Sequence, residues 1–189
     1  MSSTLILMIV FVIVVALAAT AWYLFRGRSL RRRFGPEYDR LVDDSGRAEA
    51  ERELRDRMRR HAELDLHQLT TEERERYIGR WRALQIHFVD EPGEAVREAD
   101  TLTSGLIAEI GYPTDDREEQ MAQLSVDHAK PLPAYREAHE LSEQINGDGA
   151  EVSTEQLRNA MVQYRAMIAD LLGGAHHIDG DGSRRPSHA

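Results

Sequence analysis

Asp127 and His128 stand side by side in SVDHAKPLP, a stretch broken by two prolines, and His139 follows on the next helical segment. Imidazole titrates near neutral pH. A histidine–carboxylate cluster at a chain break can therefore hold a small anion or take part in acid–base chemistry. These three are the candidate ligand-binding residues, and no residue is assigned a catalytic role. The competing structural reading has Asp127 capping a turn and His128 partly exposed, and it is the one the local sequence favours.

The remaining chemistry-bearing residues are scattered. His61, His67, His87, His128 and His139 form no i,i+4 pair and no Glu-x-x-His pair, the spacings by which helices present metal ligands. There is no cysteine, so thiolate ligands, thiol nucleophiles and disulfides are excluded. DGDGS at 179–183 and NGDGAE at 146–151 resemble calcium loops, but neither places a glutamate at the twelfth loop position. No phosphate-binding loop, G-x-S-x-G, H-E-x-x-H or dinucleotide fingerprint is present. No metal or cofactor is expected, and an enzyme is the weaker expectation.

The elements that carry these residues read as helices. Thr70-x-x-Glu73 is a capping box ahead of Tyr77, Trp81, Leu84 and Phe88, an apolar stripe at helical spacing. Asp90 and Pro92 open the next helix; Gly111 and Pro113 close it. Thr114 and Asp115 start a shorter one through Met121 and Leu124. Another resumes near Pro133 with Tyr135, Ala138, Leu141 and Ile145. Ser153-x-x-Gln156 caps the last, which carries the strongest amphipathic pattern in the chain, from Leu157 to Leu172. Residues 47–64 form a highly charged helix whose thin stripe, Ala50, Leu54, Met58 and Ala62, suits a stalk or an edge. The expected fold is all-α: one N-terminal transmembrane helix, a bundle of about five or six helices, and a disordered C-terminal tail.

The membrane segment is Leu5 to Phe25, which has no charge, proline or glycine. At about 1.5 Å per residue it spans roughly 31 Å, the thickness of a bilayer core. A cleaved signal peptide is the rival, with Ala19-Thr20-Ala21 as its site, but no basic residue precedes the apolar run. Five arginines follow it instead: Arg26, Arg28, Arg31, Arg32 and Arg33. The positive-inside rule puts them in the cytoplasm and the N-terminus outside. They can also touch anionic lipid headgroups. Residues 26–60 hold 12 arginines against 8 acids, whereas residues 61–170 hold 10 basic residues against 23 acids. A body this acidic argues against nucleic acid as a partner. The expected domains are 4–26, transmembrane helix; 27–45, basic juxtamembrane segment and short helix; 46–172, helical bundle; and 173–189, tail.

The stretches RFGPEYDRLVDDSGRAEAERELRDR, W-x-x-x-Q-x-x-FVDEPGEAVREAD, GYP, LSVDH, YREAH and VSTEQLRNAMVQYR resemble an uncharacterised bacterial family over about residues 34 to 172. The resemblance implies a small protein with one N-terminal membrane helix and a helical body. It implies no activity and no catalytic residues. Together these readings point to a single-pass membrane protein whose cytoplasmic domain binds other proteins or itself. A small-ligand-binding or catalytic bundle with its site at Asp127, His128 and His139 is the alternative. An exported envelope protein of the same fold is the second.

Overall fold

The computed structural model describes residues 8, 11–15, 29–147 and 152–173. Seven longer helices stand among the described residues: α1 (Pro36–Ser45), α2 (Arg47–His61), α3 (Thr71–Asp90), α4 (Pro92–Ile110), α5 (Arg117–Asp127), α6 (Leu132–Asn146) and α7 (Thr154–Leu171). No strand occurs among these residues. The all-α expectation holds, and six of the helices fall in the span expected to be the bundle. The run Leu5 to Phe25 and the tail lie largely outside the described residues. Within the run, Met8 and Phe11–Val15 are helical with their side chains exposed. No helix among the described residues is long and apolar enough to cross a membrane.

The chain divides into two compact units, residues 1–56 and 57–189, and the division falls inside α2. In the first unit Leu30, Phe34, Tyr38, Leu41, Ala50 and Leu54 are buried. Glu37, 1% exposed, is held by Arg40, whose Nη2 lies 2.8 Å away. Tyr38 donates to Glu51, which also accepts from Arg47 at 2.9 Å. Such pairing is what makes a buried carboxylate tolerable. The thin stripe of α2 therefore understates its burial: Glu51 and Arg57 are buried along with Ala50 and Leu54, which no stalk would do.

In the second unit α4 is central and packs on α3, α6 and α7, while α6 packs on α7 and α5 on α6. Its centrality follows from composition. Val96, Ala99, Leu102, Leu106 and Ile107 are buried to 1% or less, and small residues beside them admit close neighbours. Trp81, Tyr135, Tyr164 and Met167 fill the space around them. Truncating a large core residue of this kind costs about 3–5 kcal/mol.

Both expected capping boxes are formed, at Thr70–Glu73 and Ser153–Gln156. Two other starts differ. Asp90 is the last residue of α3, not a cap, because the hydrogen-bond ladder of α3 continues through the N–H of Glu91 to His87. Glu91 alone joins α3 to α4, and Pro92 opens α4. The helix after Pro113 begins at Arg117, capped by Asp116, which accepts from the N–H groups of Glu118 and Glu119. Thr114 and Asp115 remain outside it.

Candidate functional site

Three helix C-termini converge on one cleft of about 440 Å³, lined by residues of α4, α5 and α7 and of the loop before α3. α4 ends at Gly111, whose φ of 107° is a conformation that disfavours side chains. A Cβ there would come 2.7 Å from the Asp65 carbonyl oxygen, so glycine lets the 62–70 loop lie against the helix end. The His67 N–H donates to the Ile110 carbonyl at 3.1 Å and fastens that loop. The next residue, Tyr112, turns inward and is 4% exposed.

α5 ends with Asp127, and His128 follows as its C-cap. His128 Nδ1 lies 2.7 Å from Asp170 Oδ2, in the last turn of α7. Asp127 Oδ2 lies 3.5 Å from Nε2 of His61, the last residue of α2. The Tyr112 ring sits between the two imidazoles, with centroids 6.0 Å from His61 and 5.9 Å from His128. Burial pushes the Tyr112 hydroxyl well above the usual tyrosine range, and the Asp127 and Asp170 carboxylates push it further. Arg74, in the first turn of α3, donates to the Leu172 carbonyl at the end of α7.

His139 does not line this cleft. It belongs to a second network that ties α4, α6 and α7 together. His139 Nδ1 lies 2.6 Å from Asp100 Oδ1, and its Nε2 lies 3.3 Å from Glu143 Oε1. Tyr164 donates to the same Asp100 oxygen at 2.9 Å, and the Ser142 hydroxyl lies 2.9 Å from the Tyr164 oxygen. Ser142 and Tyr164 are fully buried. The expected trio is therefore divided: Asp127 and His128 meet in the cleft, and His139 serves the interior. The sequence reading missed Tyr112 and Asp170. The signal for Tyr112 was Gly111 itself, since a residue just past such a helix end commonly packs back on the helix.

Of the two histidine–carboxylate pairs, His128–Asp170 lines the cleft and can orient a polar group there, whereas His61 is not part of its lining. Among the described residues no group of three or more His, Cys, Asp or Glu side chains is arranged to hold a metal ion. Of the basic cluster, Arg26 and Arg28 lie outside the described residues, while Arg31, Arg32 and Arg33 are exposed and Arg31 pairs with Asp39 at 3.2 Å.

A second concavity, about 210 Å³, lies between α3 and α7, lined by Trp81, Gln85, Phe88, Arg158, Met161, Val162 and Arg165. Val162 in its wall is 59% exposed, and elsewhere on α3 Ile86 is 72% and Val89 80% exposed. These three fall off the 4-3-4 stripe of α3 and the stripe of α7, so periodicity does not single them out. No protein-family model matches the chain, and no curated protein or solved structure matches it either.

Proposed function

We propose that this chain is a single-pass membrane protein whose helical body faces the cytoplasm and works by binding another protein. The observation that carries the reading is the apolar wall of the α3–α7 groove, where Phe88 and Val162 stand over Trp81 and Met161 and Val162 is 59% exposed. Large apolar side chains grouped on a helix face cost free energy in water and gain it under a partner. Arg158 and Arg165 border the groove, so the fitting partner is an amphipathic helix carrying carboxylates beside its apolar stripe. The anchor is supported by the uncharged run from Leu5 to Phe25, whose described members expose their apolar side chains. Its orientation, with the N-terminus outside, rests on the arginines from Arg26 to Arg33, which also contact anionic headgroups. The acidic body leaves no role for nucleic acid. The uncharacterised bacterial family rests on the motifs alone and adds no activity.

The test combines sidedness with crosslinking. An epitope after Ala189 should survive protease added to intact spheroplasts and be lost on lysis. A photocrosslinker at Gln85 should capture a discrete partner that Val162→Asp removes, while a crosslinker at exposed Glu140 should not. Loss of the tag from intact spheroplasts would make the protein an exported envelope component. Equal capture at both positions would remove the groove from consideration. A second reading, a bundle that binds a small molecule, is favoured by the convergence of Tyr112, His128 and Asp170 on one cleft.

A further inference from the structure

Resting on the α3–α7 groove as the docking site, we infer that the side chain it takes from the partner helix is a tyrosine. Size makes the first distinction. At about 210 Å³ the cavity is smaller than the roughly 300–1,000 Å³ of small-molecule sites, so it suits one side chain of a protein partner better than a free ligand. A large anchor seated in such a pocket is the usual centre of a helix-in-groove interface. The walls make the second distinction. Trp81, Phe88 and Met161 line the cavity, with Arg158 and Arg165 beside them. Aromatic side chains pack edge-to-face or offset on another ring, and a methionine sulfur gains a contact at a ring edge. Arginine stacks its flat face on a ring. That face stays available when the edge of the guanidinium is engaged, as Arg158 is by Glu155 at 2.7 Å. All these wall groups gain more from an aromatic ring than from an aliphatic side chain.

The third distinction is a hydrogen-bond donor. Trp81 is 1% exposed, and its indole Nε1 is buried with no hydrogen-bond partner among the described residues. A buried indole N–H usually has a partner, and one left without it costs stability. Because Trp81 is part of the groove wall, and side-chain rotamers commonly change as an interface forms, an occupant of the groove can supply the missing acceptor. Among the large aromatic side chains, phenylalanine has no acceptor and tryptophan only donates, whereas tyrosine joins a ring to an oxygen that accepts. Gln85, also in the wall, offers its amide oxygen to the tyrosine's own O–H.

The experiment is a nuclear magnetic resonance titration of the isotope-labelled full chain in detergent micelles. Trp22→Phe leaves Trp81 as the one indole N–H signal. The probes are N-acetyltyrosinamide, N-acetylphenylalaninamide and N-acetylleucinamide. The tyrosine probe should shift the Trp81 indole N–H resonance and saturate at roughly millimolar concentration. The phenylalanine probe should bind about threefold to tenfold more weakly, the loss typical of one neutral hydrogen bond, and the leucine probe more weakly still. Val162→Asp should abolish the response, and Gln85→Ala should weaken the tyrosine probe alone; both positions are exposed, and unaltered helical circular dichroism guards against a folding defect. Phenylalanine or leucine binding as tightly as tyrosine would overturn the proposal. So would a response that fails to saturate or ignores Val162→Asp, which marks partition into the micelle, or no response to any probe. The crosslink at Gln85 separates the two readings: a discrete partner there with no preference for the tyrosine probe removes the tyrosine and leaves the groove as a docking site, whereas no partner and no probe response removes both.

Discussion

Tyr164→Phe isolates one hydroxyl at the junction of three helices. The ring stays, so packing around Met167 and Leu102 is kept and no cavity larger than an oxygen atom opens. Two interactions are lost. The Tyr164 hydroxyl donates to Asp100 at 2.9 Å, and that leaves its lone pair to accept from Ser142, also at 2.9 Å. A hydrogen bond to a carboxylate contributes about 1.5–3 kcal/mol, and a stranded buried hydroxyl costs about 1–3 kcal/mol. Asp100 keeps its His139 contact and is 19% exposed, so part of the first loss is recovered. Ser142 lies within α6 and can turn its hydroxyl toward its own helix backbone, which recovers part of the second. The net expectation is a loss of about 2–4 kcal/mol. Urea unfolding of the full chain in micelles, followed by circular dichroism, measures it. Ser142→Ala in the Tyr164→Phe background should cost little more, because the pair acts as a unit. A single Tyr164→Phe variant within about 0.5 kcal/mol of wild type would refute the claim that this network clamps α4, α6 and α7.

Two further outcomes follow from the interior. Burial, then the Glu109 carboxylate that accepts its hydrogen bond, pushes Tyr77 up to about 12, and burial raises Tyr112, Tyr135 and Tyr164 as well. A raised folded-state pKa means stability that is full below the unfolded value near about 10 and is lost as pH rises through the folded values. Absorbance at 295 nm should therefore show delayed tyrosinate formation that coincides with loss of helicity above pH of about 10; free titration near 10 with the fold intact would contradict this. Gly111→Ala brings a Cβ to 2.7 Å from the Asp65 carbonyl oxygen at a φ of 107°. It should lower stability by about 1–3 kcal/mol, and an unchanged urea midpoint would show that the 62–70 loop does not lean on this helix end.

The sequence by itself determined where helices lie and which faces they bury. Trp81, Leu102 and Tyr164 announce themselves through period, and Thr70 and Ser153 through capping chemistry, because both signals are local in the chain. Helix starts at Asp90 and Thr114 were misplaced because several capping residues compete within one turn, and only the completed hydrogen bonds choose among them. α5 was legible as two apolar positions, yet residues 120–126 are all buried, including Gln120, Gln123 and Ser125. Those polar side chains look like surface until their partners are seen: the Pro113 carbonyl at 2.8 Å, Glu119, and Arg57 at 3.3 Å. The site divides in the same way. The adjacency of Asp127 and His128 is written in the chain. What each faces, Asp170 for His128 and Asp100 for His139, is set by contacts across 42 and 39 residues of sequence. Helix periodicity fixes the face on which a residue lies, and the packing of α4, α5, α6 and α7 fixes what that face meets.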